Sequence, residues 1–171
     1  MTPSPSSRRT GLVISEIMYN PPDRDDGKNL EFLELYNTTP FTNRLEGYYL
    51  TGDVSYAFSA SDVIPPFGYL VVAASPSAMQ SVYTNLTAVV GPYSGKLPNS
   101  SGLIELRKTR PVAGQMDALF LDVEYADTPP WPLSPDGAGH SLVLSRGTYG
   151  ASDPRAWSAS AALGGTPAAR R

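Results

Sequence analysis

The sequence predicts an all-β fold, an antiparallel β-sandwich of about nine strands with at most one short helix. Short runs rich in β-branched and aromatic residues recur along the chain, and clusters of Pro, Gly, Asn or Asp stop each run. The 17 prolines and 15 glycines leave little room for a long helix. Because short turns join the strands, without helical patterns between them, an antiparallel sandwich is favoured over a parallel α/β sheet.

The first half of the chain supplies five predicted strands, each enriched in residues that suit a pleated, half-buried surface. They are LVISEIMY at 12–19, LEFLELYN at 30–37, LEGYYLT at 45–51, VSYAFS at 54–59 and GYLVVAA at 68–74. The next segment, SPSAMQSVYTN at 75–85, predicts the single short helix. Ser75 is suited to cap it and Pro76 to occupy its first position.

The second half supplies four more strands, which is enough for two packed sheets. They are LTAVV at 86–90, GLIELRK at 102–108, ALFLDVEY at 118–125 and HSLVLSR at 140–146. Within 102–108, Ile104 and Leu106 share one parity with Gly102, so they predict one apolar side.

Charge and composition exclude several classes of function. With 13 basic and 16 acidic residues the net charge is −3, too small and of the wrong sign to draw the chain onto nucleic acid or anionic lipid. The chain has no cysteine, which excludes disulfides, thiolate nucleophiles and thiolate zinc sites. No apolar run approaches the roughly 18 residues of a membrane span, so no membrane insertion is predicted.

Three regions are predicted along the chain: a flexible N-terminal linker at 1–11, one domain at 12–167 and a C-terminal tail at 168–171. The opening MTPSPSSRRT has no apolar core, so it is interpreted as a linker and not as a secretion signal. If the protein is exported, its signal lies outside this chain.

An acidic loop at PPDRDDGKN is the candidate metal site. Asp23, Asp25 and Asp26 lie close together, and calcium favours carboxylate oxygens from a flexible loop. However, Gly27 stands at the fifth position where the helix-loop-helix calcium pattern has glycine at the sixth. The alternative is a polar turn in which Gly27 supplies a positive φ. No cofactor other than this possible calcium is predicted.

Two glutamates follow the acidic loop. Glu31 and Glu34 have opposite parity in a strand, so they point to opposite faces and do not form a catalytic pair by themselves. A carboxylate that points inward needs a hydrogen-bonding or ionic partner, for which Arg44 and Lys28 are the candidates.

Trp131, fixed by prolines in TPPWPLSPDG, is the candidate binding residue. Its flat face suits a sugar or a proline-rich partner, and the alternative is a plug that closes one end of the sandwich.

His140 is the single histidine, and Ser141 or Ser134 with Asp136 completes no recognisable nucleophile motif. The sequence therefore predicts no enzyme. The ten tyrosines fit either a recognition surface or buried rings with wet hydroxyls.

A series of motifs resembles the lamin tail domain, and more narrowly the bacterial lamin-tail domains found in large exported proteins. The motifs are, in order, VISEIMYNPP, LEFLELYNTT, LEGYYLTG, VIPPFGYLVVA, LPNSSGLIELRK, TPPWPLSPDGAGHSL, DPRAWSAS and GGTP. The resemblance runs from about Leu12 to Pro167. It implies an immunoglobulin-like sandwich, partners that are other protein domains or cell-surface components, and an extracellular or cell-surface location.

The leading hypothesis is a non-catalytic interaction or surface-attachment module of a larger exported bacterial protein, which docks through sheet faces, strand edges or end loops. One alternative is a carbohydrate- or calcium-binding accessory domain that uses Trp131 and the acidic loop. The second is a metal-dependent hydrolase, which would need Asp23, Asp25 and Asp26 to converge with His140 in one pocket.

Overall fold

The protein folds into two β-sheets that stack face to face. This is a computed structural model, and it describes residues 11–110 and 112–168. Its strands are β1 (Leu12–Met18), β2 (Phe32–Asn37), β3 (Asn43–Arg44), β4 (Tyr48–Gly52), β5 (Val54–Ala57), β6 (Val63–Ile64), β7 (Tyr69–Ala73), β8 (Val89–Val90), β9 (Ser94–Gly95), β10 (Ser101–Lys108), β11 (Ala118–Ala126), β12 (Leu142–Leu144) and β13 (Trp157–Ala159). Helix α1 spans Pro76–Val82, and a 3₁₀ turn spans Pro154–Ala156.

The strand order defines two layers. The first sheet has six strands in the order β13-β12-β1-β2-β7-β8, and the second has five in the order β11-β10-β4-β5-β9. A small two-stranded ribbon of β3 and β6 accompanies them. Neighbouring strands are antiparallel except β7 and β8, which run parallel. The predicted antiparallel β-sandwich is therefore confirmed.

The main core lies between the two sheets. Ile14, Leu33 and Val72 of the first sheet and Ile104 and Leu106 of the second are fully buried in one apolar cluster. Strand β10 alternates as its sequence predicts, with Gly102 also on the buried side. Burial of these alternating side chains removes their apolar area from water and is the main force that holds the two layers together.

The first sheet is also buried on its outer face. Helix α1 covers it, so that Met79 packs with Met18, Phe32 and Val71 in a second apolar cluster. As a result all seven residues of β1 are buried. A strand buried on both faces must satisfy any polar side chain that it carries within the protein.

A β-bulge in β1 places two neighbouring polar residues on that outer face. The strand pairing runs from Ile14 opposite Leu35 to Glu16 opposite Glu34, which leaves Ser15 as the extra residue. Because two residues then oppose one, Ser15 and Glu16 both face Glu34 while Ile14 and Ile17 both stay in the core.

The predicted elements agree with the structure in position more than in length. Each of the nine predicted strand segments overlaps a strand, and the predicted helix is present, with the Ser75 side chain accepting from the Ala78 N–H at 3.4 Å. The segments at 86–90 and 140–146 shrink to two and three residues. The sequence missed β3, β6, β9 and β13, each of two or three residues. Their pairing depends on distant partners and leaves little local pattern.

None of the helices within the described ranges combines the length and the apolar character that crossing a membrane requires.

Two turn glycines give a matched test of backbone contact. Both have positive φ, +79° at Gly47 and +100° at Gly52, but a Cβ at Gly52 would lie 2.3 Å from the Leu103 carbonyl oxygen whereas one at Gly47 meets nothing within 4 Å. We expect Gly47→Ala to cost about 1–2 kcal/mol for the left-handed backbone, and Gly52→Ala to cost clearly more. Urea denaturation of both variants checks this, and equal losses would contradict it.

Candidate functional site

The acidic loop is an exposed turn whose charges are partly neutralised. Asp26 accepts two hydrogen bonds from Arg24, each of 2.8 Å, and lies 3.2 Å from the Lys28 ammonium. The Arg24 guanidinium, followed by the Lys28 bonds, holds the pKa of Asp26 well below its usual range. Asp23 and Asp25 are exposed beside it. In the stretches 11–110 and 112–168, no group of three acidic or histidine side chains is placed to hold a metal ion.

Calcium binding by this loop is an untested hypothesis, and thermal denaturation with and without calcium can decide it. Since Arg24 and Lys28 already occupy Asp26, we expect millimolar calcium added after chelation to leave the thermal midpoint unchanged. An ion that binds only the folded state raises the midpoint by mass action. A calcium-specific rise that disappears in Asp25→Asn would overturn this expectation and establish a metal site.

The two glutamates after the loop have partners other than the two cations that the sequence suggested. Glu31 accepts from the Tyr93 hydroxyl at 3.1 Å and from the Leu97 N–H at 3.3 Å. Glu34 is fully buried and accepts from the Ser15 hydroxyl at 2.6 Å. The Lys28 ammonium pairs instead with Asp26. Hydroxyl and backbone N–H donors therefore provide much of the hydrogen bonding to Glu31 and Glu34 that Arg44 or Lys28 was expected to provide.

Trp131 is only 8% exposed, and its ring lies 6.3 Å from that of Trp157. The Trp157 indole N–H donates to the Ala151 carbonyl at 2.6 Å, and the pairing of β13 with β12 attaches this segment to the first sheet. In this position Trp131 belongs to the main core cluster and offers no open face for a sugar to stack on. The carbohydrate alternative would therefore need another aromatic surface.

His140 and the serine beside it do not form a catalytic pair. The His140 Nδ1 lies 2.7 Å from the Ser160 carbonyl oxygen, whereas the Ser141 hydroxyl bonds to Glu16. Asp136 accepts from the Asn20 amide at 2.7 Å. The structure thus brings neither Ser141 nor Asp136 into a hydrogen bond with the imidazole, as nucleophilic catalysis would require.

A different region, where β2 ends and β7 begins, is organised by one buried amide. Asn37 is fully buried, and its Nδ2 lies 2.6 Å from the Phe41 carbonyl oxygen and 2.9 Å from that of Pro65. Its Oδ1 accepts from the Thr39 N–H at 3.0 Å and from the Asn43 amide at 2.6 Å. One side chain therefore fixes two loops to each other.

These two loops present phenylalanine to solvent. Phe41 is 74% exposed and Phe67 is 50% exposed. Phe67 is the third residue of a turn that the Gly68 N–H closes onto the Pro65 carbonyl at 3.0 Å, and its φ is +54°. Glycine or asparagine is favoured at a turn position with positive φ, and a bulky side chain there is strained. The strained residue is thus an exposed aromatic.

A stacked tyrosine pair continues the surface along the sheet. Tyr36 and Tyr69 are directly paired on β2 and β7, their rings are 4.7 Å apart, and both are half-buried. We call this surface the aromatic end. It consists of Tyr36, Phe41, Phe67 and Tyr69 with the exposed prolines Pro40, Pro65 and Pro66. It contains no charged group and no nucleophile other than tyrosine, so its chemistry suits binding.

The sequence allowed a tyrosine recognition surface, which agrees with the exposed part of the Tyr36 and Tyr69 pair, but it did not point to either phenylalanine. The available signal was PPFG, where phenylalanine follows the proline and stands where a turn of this type prefers glycine.

The buried amide can be tested directly. Asn37→Ala would leave the Phe41 and Pro65 carbonyls without this donor, and unsatisfied buried polar groups cost roughly 1–3 kcal/mol each. We expect a loss of about 2–4 kcal/mol in the free energy of unfolding. Thr38→Ala is the control, since its exposed hydroxyl makes one long bond of 3.3 Å. Equal effects of the two variants would show that Asn37 does not hold the loops.

Comparison with protein-family models finds a match to the Lamin Tail Domain over residues 5–116. The match covers about two thirds of the chain and includes Asn37 and all of the aromatic end. Searches of the curated proteins and of the solved structures found no match to this chain.

Proposed function

Since this chain belongs to the lamin tail domain family, we propose that it is a non-catalytic module that attaches a larger exported bacterial protein to a protein partner through the aromatic end. The family consists of immunoglobulin-like interaction domains, and the β-sandwich of this chain agrees with that fold. A sandwich supports many functions, so the choice of surface has to come from the residues themselves.

The observation that carries this proposal is the conformation of Phe67. A non-glycine residue in the left-handed region costs of the order of 1–2 kcal/mol, and such strain concentrates at functional sites. Packing in the main core does not compensate for this strain, because the Phe67 side chain is half exposed. Function is the remaining reason to keep a phenylalanine at this turn.

The chemistry of the aromatic end defines the partner. Tyr and Phe provide large, rigid contact area at low cost in conformational entropy, which is why aromatic residues dominate protein interfaces. Asn37 holds both loops before binding, so little further ordering is needed. The partner surface is therefore uncharged and apolar, with aliphatic side chains or prolines that pack against the rings.

Addition of a strand to the sandwich edge is a less favoured mode. Strand β11 is one of the two edges of the second sheet, and Ser152 lies against it. The Ser152 hydroxyl accepts from the Glu124 N–H at 3.2 Å and lies 3.5 Å from the Asp122 carbonyl oxygen. A side chain thus occupies backbone groups that an added strand would need.

The cellular setting is part of the same proposal. Resemblance to the bacterial members of the family supports an exported parent protein and a place outside the cell or on its surface. Protease added to intact producing cells should then remove the domain while it leaves a cytoplasmic marker intact. Protection equal to that of the marker would refute the exported location.

Attachment can be tested in the full-length protein in its producing cells, with the photo-cross-linking residue p-benzoylphenylalanine at position 41. We expect a discrete adduct with one protein, and we expect Phe67→Gly to abolish it. Because glycine suits the left-handed turn, the thermal midpoint of Phe67→Gly should stay within a few degrees of the wild-type value. Loss of the adduct would then reflect the surface and not unfolding.

The matched control is position 116. Met116 is 87% exposed in the loop between β10 and β11, outside the aromatic end. A cross-linker there should give no such adduct, and Met116→Ser should leave the adduct from position 41 unchanged. Identical adducts from both positions, or an adduct that survives Phe67→Gly, would overturn the proposal.

A further inference from the structure

The outer face of the first sheet holds two buried carboxylates side by side. Glu16 and Glu34 are directly opposite each other on β1 and β2, and both are fully buried. The bulge at Ser15 creates this arrangement, and the Ser15 hydroxyl donates to Glu34. Buried carboxylates are expensive unless hydrogen-bond donors surround them.

Donors come from a segment that is distant in sequence. The Thr166 N–H donates to Glu16 at 2.7 Å, and the Ala168 N–H donates to Glu34 at 2.6 Å. Backbone N–H groups that bond to a carboxylate make short, charge-assisted hydrogen bonds. Residues 164–168 therefore lie across the two strands, and we call this segment the strap.

The strap also contacts helix α1. Tyr83 is the residue at which helix α1 ends. Its hydroxyl donates to the Gly164 carbonyl at 2.5 Å. Burial, followed by the nearby charge of Glu16, raises the pKa of Tyr83, so its hydroxyl stays protonated and able to donate. The strap, the carboxylates and the helix thus form one connected set of contacts.

Close approach of the strap depends on glycine. Gly165 has φ +81°, and a Cβ there would lie 2.7 Å from the Glu16 Oε1 and 3.3 Å from the Phe32 ring. Gly165 is buried by this contact. A side chain at this position would lift the strap away from the carboxylates.

The segment that leads into the strap is exposed and is held by hydrogen bonds, among them the Gly164 N–H to the Gly139 carbonyl at 2.6 Å and the Ser160 hydroxyl to the Ala162 carbonyl at 2.8 Å. Residues 161–163 are exposed, and Leu163 is 72% exposed. Within the strap, Ala168 is exposed and Thr166 and Pro167 are half-buried, so little apolar area fixes it. A segment held mainly by hydrogen bonds opens at a lower free energy than the core strands do.

We propose that residues 164–168 are a releasable strap, held on a seat formed by Glu16 and Glu34. In the closed state the strap covers the two carboxylates beside helix α1. In the open state it leaves the outer face of the first sheet. Release also uncovers two carboxylates and the edge of Phe32. Glu34 of the seat lies two residues from Tyr36 of the aromatic end, on the same face of β2, and the device adds a conformational control to the domain.

Residue-resolved amide hydrogen exchange on the full chain tests the strap. We expect the Thr166 and Ala168 amides to exchange faster than those of β10 and β11. Gly165→Ala should accelerate exchange at both positions by about tenfold or more, with β10 and β11 unchanged. The control is Gly114→Ala, because Gly114 has φ +83° and a Cβ there meets nothing within 4 Å.

A second variant tests the seat itself. Glu34→Gln weakens the acceptor, and we expect faster exchange at Ala168 with a smaller effect at Thr166. If Glu34→Gln fails to fold, Gly165→Ala still decides the question. This variant changes a residue of the strap and keeps both glutamates in the sequence. Unchanged exchange at Thr166 and Ala168 in Gly165→Ala, or the same acceleration in Gly114→Ala, would refute the releasable strap.

Discussion

Burial of the first sheet on both faces is the constraint on which the rest of the structure depends. The second sheet covers one face, and helix α1 and the strap cover the other. A strand in that position has no solvent to receive a polar side chain, so every polar group in β1 and β2 needs an internal partner. The bulge at Ser15, the Ser141 hydroxyl and the backbone of the strap all serve Glu16 and Glu34 in this way.

The same requirement explains the other end of these strands. Asn37 ends β2 inside the protein, and it is satisfied by the backbone of two loops. These hydrogen bonds hold the two loops to each other, and loops ordered before binding present their aromatic rings in one arrangement. Buried polar residues thus place both the strap and the aromatic end.

Lamin tail domains share a sandwich, but the sandwich by itself names no partner. In this chain the two informative departures from local preference are a phenylalanine with positive φ at an exposed turn and a pair of carboxylates in a buried sheet. Both carry a cost in folding free energy. Departures of this kind are where function is expected to override stability.

The sequence by itself determined the β-sandwich, the nine main strand segments, the capped helix at Ser75 and the family, because alternation and turn residues are local signals. It did not recover β13 or the short ribbon, whose pairing follows from contacts between residues far apart in the chain. The acidic loop attracted attention because its charges are adjacent in sequence, whereas Glu16 meets Thr166 across 150 positions. Only the tertiary structure joins such residues. It alone also decided that Trp131 is buried while Phe41 and Phe67 are exposed, because burial depends on the packing of the whole domain.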